Sequence, residues 1–122
     1  MTMSPMMQAH MRANMRDHLA AISEIQSALA AGQYDQAANI AEQRLGMTSL
    51  ALHGARHMAP LMPTGMQAIG TAMHHAASRF ALVAQEAPVS GGLPRALGAL
   101  AEVSRQCAAC HASYRLVVGS PP

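Results

Sequence analysis

Five residues near the end of the chain constrain it most: Cys107-Ala108-Ala109-Cys110-His111. Cys-x-x-Cys-His is the spacing of covalent c-type haem attachment, in which two thiols add to the two haem vinyl groups and the adjacent imidazole takes the iron. On a helix, Cys107 and His111 fall one turn apart on one face, with Cys110 beside them. The motif sets an expected cofactor, one haem c per chain, and a helix to carry it.

Other uses of two cysteines fit less well. A thioredoxin-type redox pair expects a βαβ context, and no convincing strand is legible near the motif. A structural zinc site needs four clustered ligands, and no second Cys-x-x-Cys or close histidine pair accompanies this one. A disulfide would close a loop too small to constrain the unfolded chain much. Both cysteines of the chain lie in the motif.

The chain has 122 residues, the size of one domain with one core, read here as residues 1–122. Half of it is apolar, yet only Tyr34, Phe80 and Tyr114 are aromatic. Alanine, leucine and methionine supply the bulk, which favours helix over sheet. A core without large flat side chains has room for a buried porphyrin. The formal net charge is +2 and all the fixed positive charge is arginine, too weak and dispersed to argue for nucleic-acid binding. No apolar run of about eighteen residues marks a membrane-inserted helix. Covalent haem implies export, so the expected location is the periplasm. The first residues lack the pattern of a secretory signal, which reads as a signal already removed or replaced. Met1-Thr2-Met3 reads as a remnant left at the start of the chain.

Four helical segments are expected, over about 5–31, 35–58, 64–87 and 93–118. Ser4 suits an N-cap with Pro5 at the first helical position, and Gly32 suits a stop. Met11, Met15, His18, Ile22, Ile25 and Leu29 recur at alternating spacings of four and three, a seam for packing against other helices. Asp35 suits the cap of the second segment, whose Ala38, Ala41, Leu45, Thr48 or Ser49, and Leu52 keep a helical period, while Gly46 and Gly54 weaken it locally or permit close helix approach. Pro60 and Pro63 end it. Met66, Ile69, Met73, Ala77, Phe80 and Ala84 line the third. The fourth carries Leu93, Leu97, Leu100, Ser104, Cys107, His111, Tyr114 and Val118 on one stripe, and Gly119-Ser120-Pro121-Pro122 should fray. The expectation is an all-α, antiparallel four-helix bundle with haem attached to the last helix.

A Cys-x-x-Cys-His motif on the last of four helices resembles the class II c-type cytochromes, which include cytochrome c prime and its low-spin, methionine-ligated relatives. Cys110-His111-Ala112-Ser113-Tyr114-Arg115 is similar to that family's Cys-His-x-x-aromatic-basic ending. Ala31-Gly32-Gln33-Tyr34-Asp35 resembles its turn between the first two helices. The resemblance implies thioether links at Cys107 and Cys110, His111 as proximal iron ligand, and Tyr114 and Arg115 near the haem. Arg115, one turn beyond His111, would lie by the proximal imidazole or a propionate.

In such proteins the first helix faces the other side of the iron. Met15-Arg16-Asp17-His18 resembles the stretch of the methionine-ligated members, which implies Met15 as the distal ligand. A thioether there raises the reduction potential. His18, one turn on, is the competing ligand, since imidazole also binds iron well. Arg16 and Arg12 suit propionate pairing.

The function implied is single-electron transfer with a redox partner protein, without enzymatic turnover and with a possible homodimer. Two alternatives remain. A five-coordinate iron would bind nitric oxide or carbon monoxide. Separately, His53, His57, Met58, Met62, Met66, His74 and His75 crowd mid-chain, and His53 and His57 sit at the spacing of two ligands on one helix face, a candidate copper-handling site.

Overall fold

The computed structural model describes residues 1–117, and these are helical almost throughout. Helix α1 spans Pro5–Ala30, α2 Tyr34–Arg44, α3 the single turn Ala55–Met58, α4 Thr64–Glu86 and α5 Gly92–Ser113. The Ser4 hydroxyl accepts from the Met7 amide and Pro5 opens α1, as its sequence predicts. Gly32, at φ 72°, ends that helix, and the Gln33 amide returns to the Ala28 carbonyl. α1 packs on α2, α2 on α4, and α4 on α5.

The second expected segment is corrected. It does not run to residue 58 but stops at Arg44. The Leu45 and Gly46 amides still return to the Ala41 carbonyl, and the two after them find side chains instead: Met47 donates to the Ser78 hydroxyl at 3.0 Å and Thr48 to the Glu42 carboxylate at 3.1 Å. Gly46 is extended because the chain passes close to α4, where a β-carbon would stand 2.7 Å from Ser78 Oγ. A 3₁₀ turn over Met47–Leu50, a left-handed Gly54, α3, and a second 3₁₀ turn over Ala59–Leu61 complete the passage. Leu52 is therefore exposed rather than on a seam. Asp35 lies inside the first turn of α2, and Gln33 holds the cap position without a side-chain bond.

α5 ends at Ser113, short of the expected 118, because Tyr114 turns extended. Its inward face is also rotated from the expected stripe. Ala96, Leu100 and Val103 are buried, whereas Leu93 and Leu97 are 38% and 47% exposed. Val118 and the tail after it lie outside the described residues.

The first three residues belong to the fold. Thr2 bridges to Val117, the Val117 amide donates to the Met1 carbonyl, and Met3 is 2% exposed. Buried Gln8 ties both termini together through the Met3 and Val117 carbonyls.

Two apolar regions result. One is alanine-rich and centred on Phe80, Ile25 and Leu45, joining α1, α2, α4 and α5. The other is built on Met3, Met11, Met58 and Met66, with Met7, Met15, Met62, Cys110 and Tyr114 packed against it. No described helix is long and apolar enough to cross a membrane.

Candidate functional site

Next to the methionine region lies a cavity of about 540 Å³, within the usual range for a bound organic group. α1 contributes Met11, Met15, Arg16, His18 and Ile22; the passage before α4 contributes His53, Met58 and Met62. α4 adds Met66, Met73 and His74, and α5 adds Cys107, Cys110 and His111. Helix periodicity explains the convergence: Met11, Met15 and His18 share one stripe of α1, and the three motif residues share one side of α5.

Cys107 and Cys110 are free thiols, each half-buried. Burial pushes both above the ordinary cysteine range, so they stay protonated at neutral pH. A redox-active dithiol has the opposite character, with a depressed thiol pKa in a polar setting. His111 is exposed and borders the cavity.

Met15 is half-buried and Arg16 exposed, both on the cavity rim. His18 is pushed down to about 4, chiefly by burial and then by the neighbouring His53 and His74, so its ring is neutral at neutral pH. The His18 and His53 rings meet edge-on with centroids 4.7 Å apart, and His18 and His74 at 6.2 Å. His53 Nε2 donates to Asp17 Oδ2 at 3.2 Å, and Arg44 donates to Asp17 Oδ1 at 2.7 Å and pairs with Glu24. The Arg44 hydrogen bond holds the Asp17 carboxyl below the usual carboxylate range. His74 Nδ1 meets the Leu45 carbonyl at 2.6 Å. The His53 carbonyl is in turn held by His10 Nε2 at 3.1 Å and Asn14 Nδ2 at 3.0 Å. Two ring nitrogens, His18 Nε2 and His53 Nδ1, are buried without a hydrogen-bond partner.

Arg115 is corrected. The turn at Tyr114 takes it off the helix, so it does not fall one turn beyond His111, and it is exposed and away from the cavity lining. Its carbonyl accepts from the N-terminal amino group at 3.1 Å. Tyr114 also misses the lining; it packs on the methionine region, with its hydroxyl where a β-carbon on Gly65 would be. The mid-chain cluster splits. His53 is buried while His57 and His75 are exposed, because left-handed Gly54 restarts the helix between the first two. Among the described residues no three His, Cys, Asp or Glu side chains are set to hold a metal ion.

Asn14 and Arg44 carry no local sequence signal, and Asp17 enters the sequence reading only within the stretch 15–18; their contacts arise because α2 and the passage after it fold against α1. Comparison with family models, with curated proteins and with solved structures finds no match for the chain.

Proposed function

We propose that this protein is a monohaem c-type cytochrome of the class II kind, a four-helix bundle that carries single electrons in the periplasm. One observation carries the reading: both thiols and the imidazole of the Cys-x-x-Cys-His motif line a single largely apolar cavity of about 540 Å³, whose α1 wall offers Met15 and His18. The donor set fits haem. Two protonated thiols suit addition across two vinyl groups, each forming a carbon–sulfur bond while its proton passes to the neighbouring vinyl carbon.

When bound, haem supplies reversible one-electron chemistry at iron. Cys107 and Cys110 hold the group in place, and His111, fixed to the same helix, serves as proximal ligand. The methionine wall excludes water, and burial of this kind tunes potential. Exposed Arg16 suits a propionate. Met15 and His18 on the α1 wall are the residues that would be offered to the iron opposite His111; the family resemblance favours Met15. A redox partner protein follows from the function, and a homodimer is compatible with it. No substrate turnover is proposed.

The test is the visible spectrum of protein expressed with c-type maturation machinery, oxidised and reduced, with and without carbon monoxide. A low-spin spectrum unmoved by carbon monoxide supports electron transfer. A high-spin spectrum that shifts makes gas binding the function. Absence of covalent haem overturns the cytochrome reading and returns attention to the soft methionine donors, to be probed by Cu(I) titration.

A further inference from the structure

The fold segregates its charges. Glu24, Asp35, Glu42, Glu86 and Glu102 each adjoin, along the chain, a residue of the alanine-rich region: Ile25, Tyr34, Ala41, Ala87 and Val103. Asp17 is the one carboxylate side chain outside that set, and Arg44 and His53 both engage it. The methionine end is cationic. Arg12 lies between Met11 and Met15, Arg56 two residues before Met58, and Arg115 between Tyr114 and Leu116, and those neighbours all belong to the methionine region. Arg16 borders the cavity, and the N-terminal amino group is tied to the Arg115 carbonyl. Arg12, Arg16, Arg56 and Arg115 are exposed and, among the described residues, form no ion pair.

The cavity opens at this cationic end. Of the residues lining it, those that are exposed are Arg16 and Leu19 on α1 and Ser104 and His111 on α5. Those from the passage and α4 are buried or half-buried. The mouth therefore lies between α1 and α5, the two helices at the ends of the packing order α1, α2, α4, α5. Leu19 stands 71% exposed there, and no carboxylate lines the cavity. Arg12, Arg16 and Leu19 follow at spacings of four and three, so one stripe of α1 carries the arginines and the leucine to the rim. Asp17 and Glu24 lie on another flank of α1, where both reach Arg44 of α2.

We propose that the face around this mouth is the docking surface for the redox partner, a protein that presents an acidic patch around an apolar centre. The proposal rests on the cytochrome reading above and names the partner that reading requires. The mouth is the opening of the cavity to solvent, so a protein exchanging electrons with a group inside meets the chain there. Haem brings two carboxylates of its own, enough to offset Arg12 and Arg16; Arg56, Arg115 and the terminal amine remain. With most carboxylates at the far end, an acidic surface is steered to the mouth rather than to the turn between α1 and α2. A second copy of the chain brings the same cations to this face, so a two-fold pair across it is opposed.

The experiment uses the matured haem protein. Its reduced form is oxidised in a stopped-flow instrument by ferricyanide, an anion, or by tris(phenanthroline)cobalt(III), a cation, each taking one electron. Ferricyanide should react about tenfold slower at high than at low ionic strength, and the cation no slower. R56E and R79E change net charge equally, but Arg79 adjoins Phe80 in the alanine-rich region. R56E should slow ferricyanide about threefold at low salt, and R79E should leave it unchanged. Amide shifts on titration with poly-L-glutamate should centre on Arg12, Arg16, Leu19, Arg56 and His111. Equal slowing by R56E and R79E overturns the proposal, because net charge alone then governs, and so do shifts centred on α2. Phosphatidylglycerol vesicles that hold the protein at a salt concentration releasing poly-L-glutamate overturn it in favour of a membrane surface. Protein that matures without covalent haem refutes the cytochrome reading instead, and the poly-L-glutamate titration then decides the face by itself.

Discussion

The Gln8 carboxamide donates to the Val117 carbonyl at 2.7 Å, joining side chain and backbone across 109 positions of sequence. The same nitrogen donates to Met3 at 3.0 Å, and Gln8 is 6% exposed. Replacing it with leucine leaves the buried bond to the Met3 carbonyl and the part-buried bond to the Val117 carbonyl unmade. Q8L should lower unfolding stability by about 1–3 kcal/mol, measured by urea denaturation. An unchanged midpoint would mean that water replaces the amide without loss.

Stability of the cofactor-free protein should fall in mild acid. His18 titrates near 6.5 when unfolded and is pushed to about 4 when folded. The folded state therefore binds fewer protons between those values. Its contribution is intact above about 6.5 and is lost as pH falls to about 4. The full difference is at most about 3 kcal/mol. His74, also lowered by burial, acts in the same direction. Asp17, whose carboxyl is held below 3.8, adds a loss at still lower pH. Urea midpoints measured across this window should slope downward towards acid in the wild type and less steeply in H18Q.

Gly46 is constrained by space rather than by φ. A β-carbon there would stand 2.7 Å from Ser78 Oγ and 2.8 Å from the Glu42 carbonyl, and backbone cannot yield as a flexible side chain does. G46A should cost about 1–3 kcal/mol, read as a lowered Tm, despite the gain in helix propensity. A rise in Tm would show that α2 can extend past Arg44.

Phe80 is fully buried at the centre of the alanine-rich region. F80A should destabilise by about 3–5 kcal/mol, because the surrounding alanines are too short to close the gap. The loss should be similar with and without haem, since Phe80 is not part of the cavity lining. Paired denaturation curves of the two forms check this.

α1 was legible almost to the residue, because its cap, its opening proline, its seam and its terminal glycine are all local signals. The motif likewise placed Cys107, Cys110 and His111 on one helix face. The end of α2 was only half legible: Gly46 marks a local weakness and a close approach, but that Ser78, far along the chain, takes the Met47 amide is announced by nothing near residue 44. The α5 stripe differs from the spacing-based expectation at its N-terminal end. Leu93 and Leu97 face outward while Ala96 faces in, since burial on α5 follows where α4 lies. The meeting of His18, His53 and His74 comes from three separate segments and has no signature in any one of them.

The two apolar regions divide the molecule by stiffness. Alanine backbones meet at short range with few rotamers to choose among, whereas a methionine side chain has three torsions and a deformable electron cloud. One end of the protein is thus a fixed frame and the other a lining that can be reshaped at small expense. A guest entering the cavity meets, beside its histidines and thiols, a wall of thioethers that can rearrange while the alanine-packed helices stay in place.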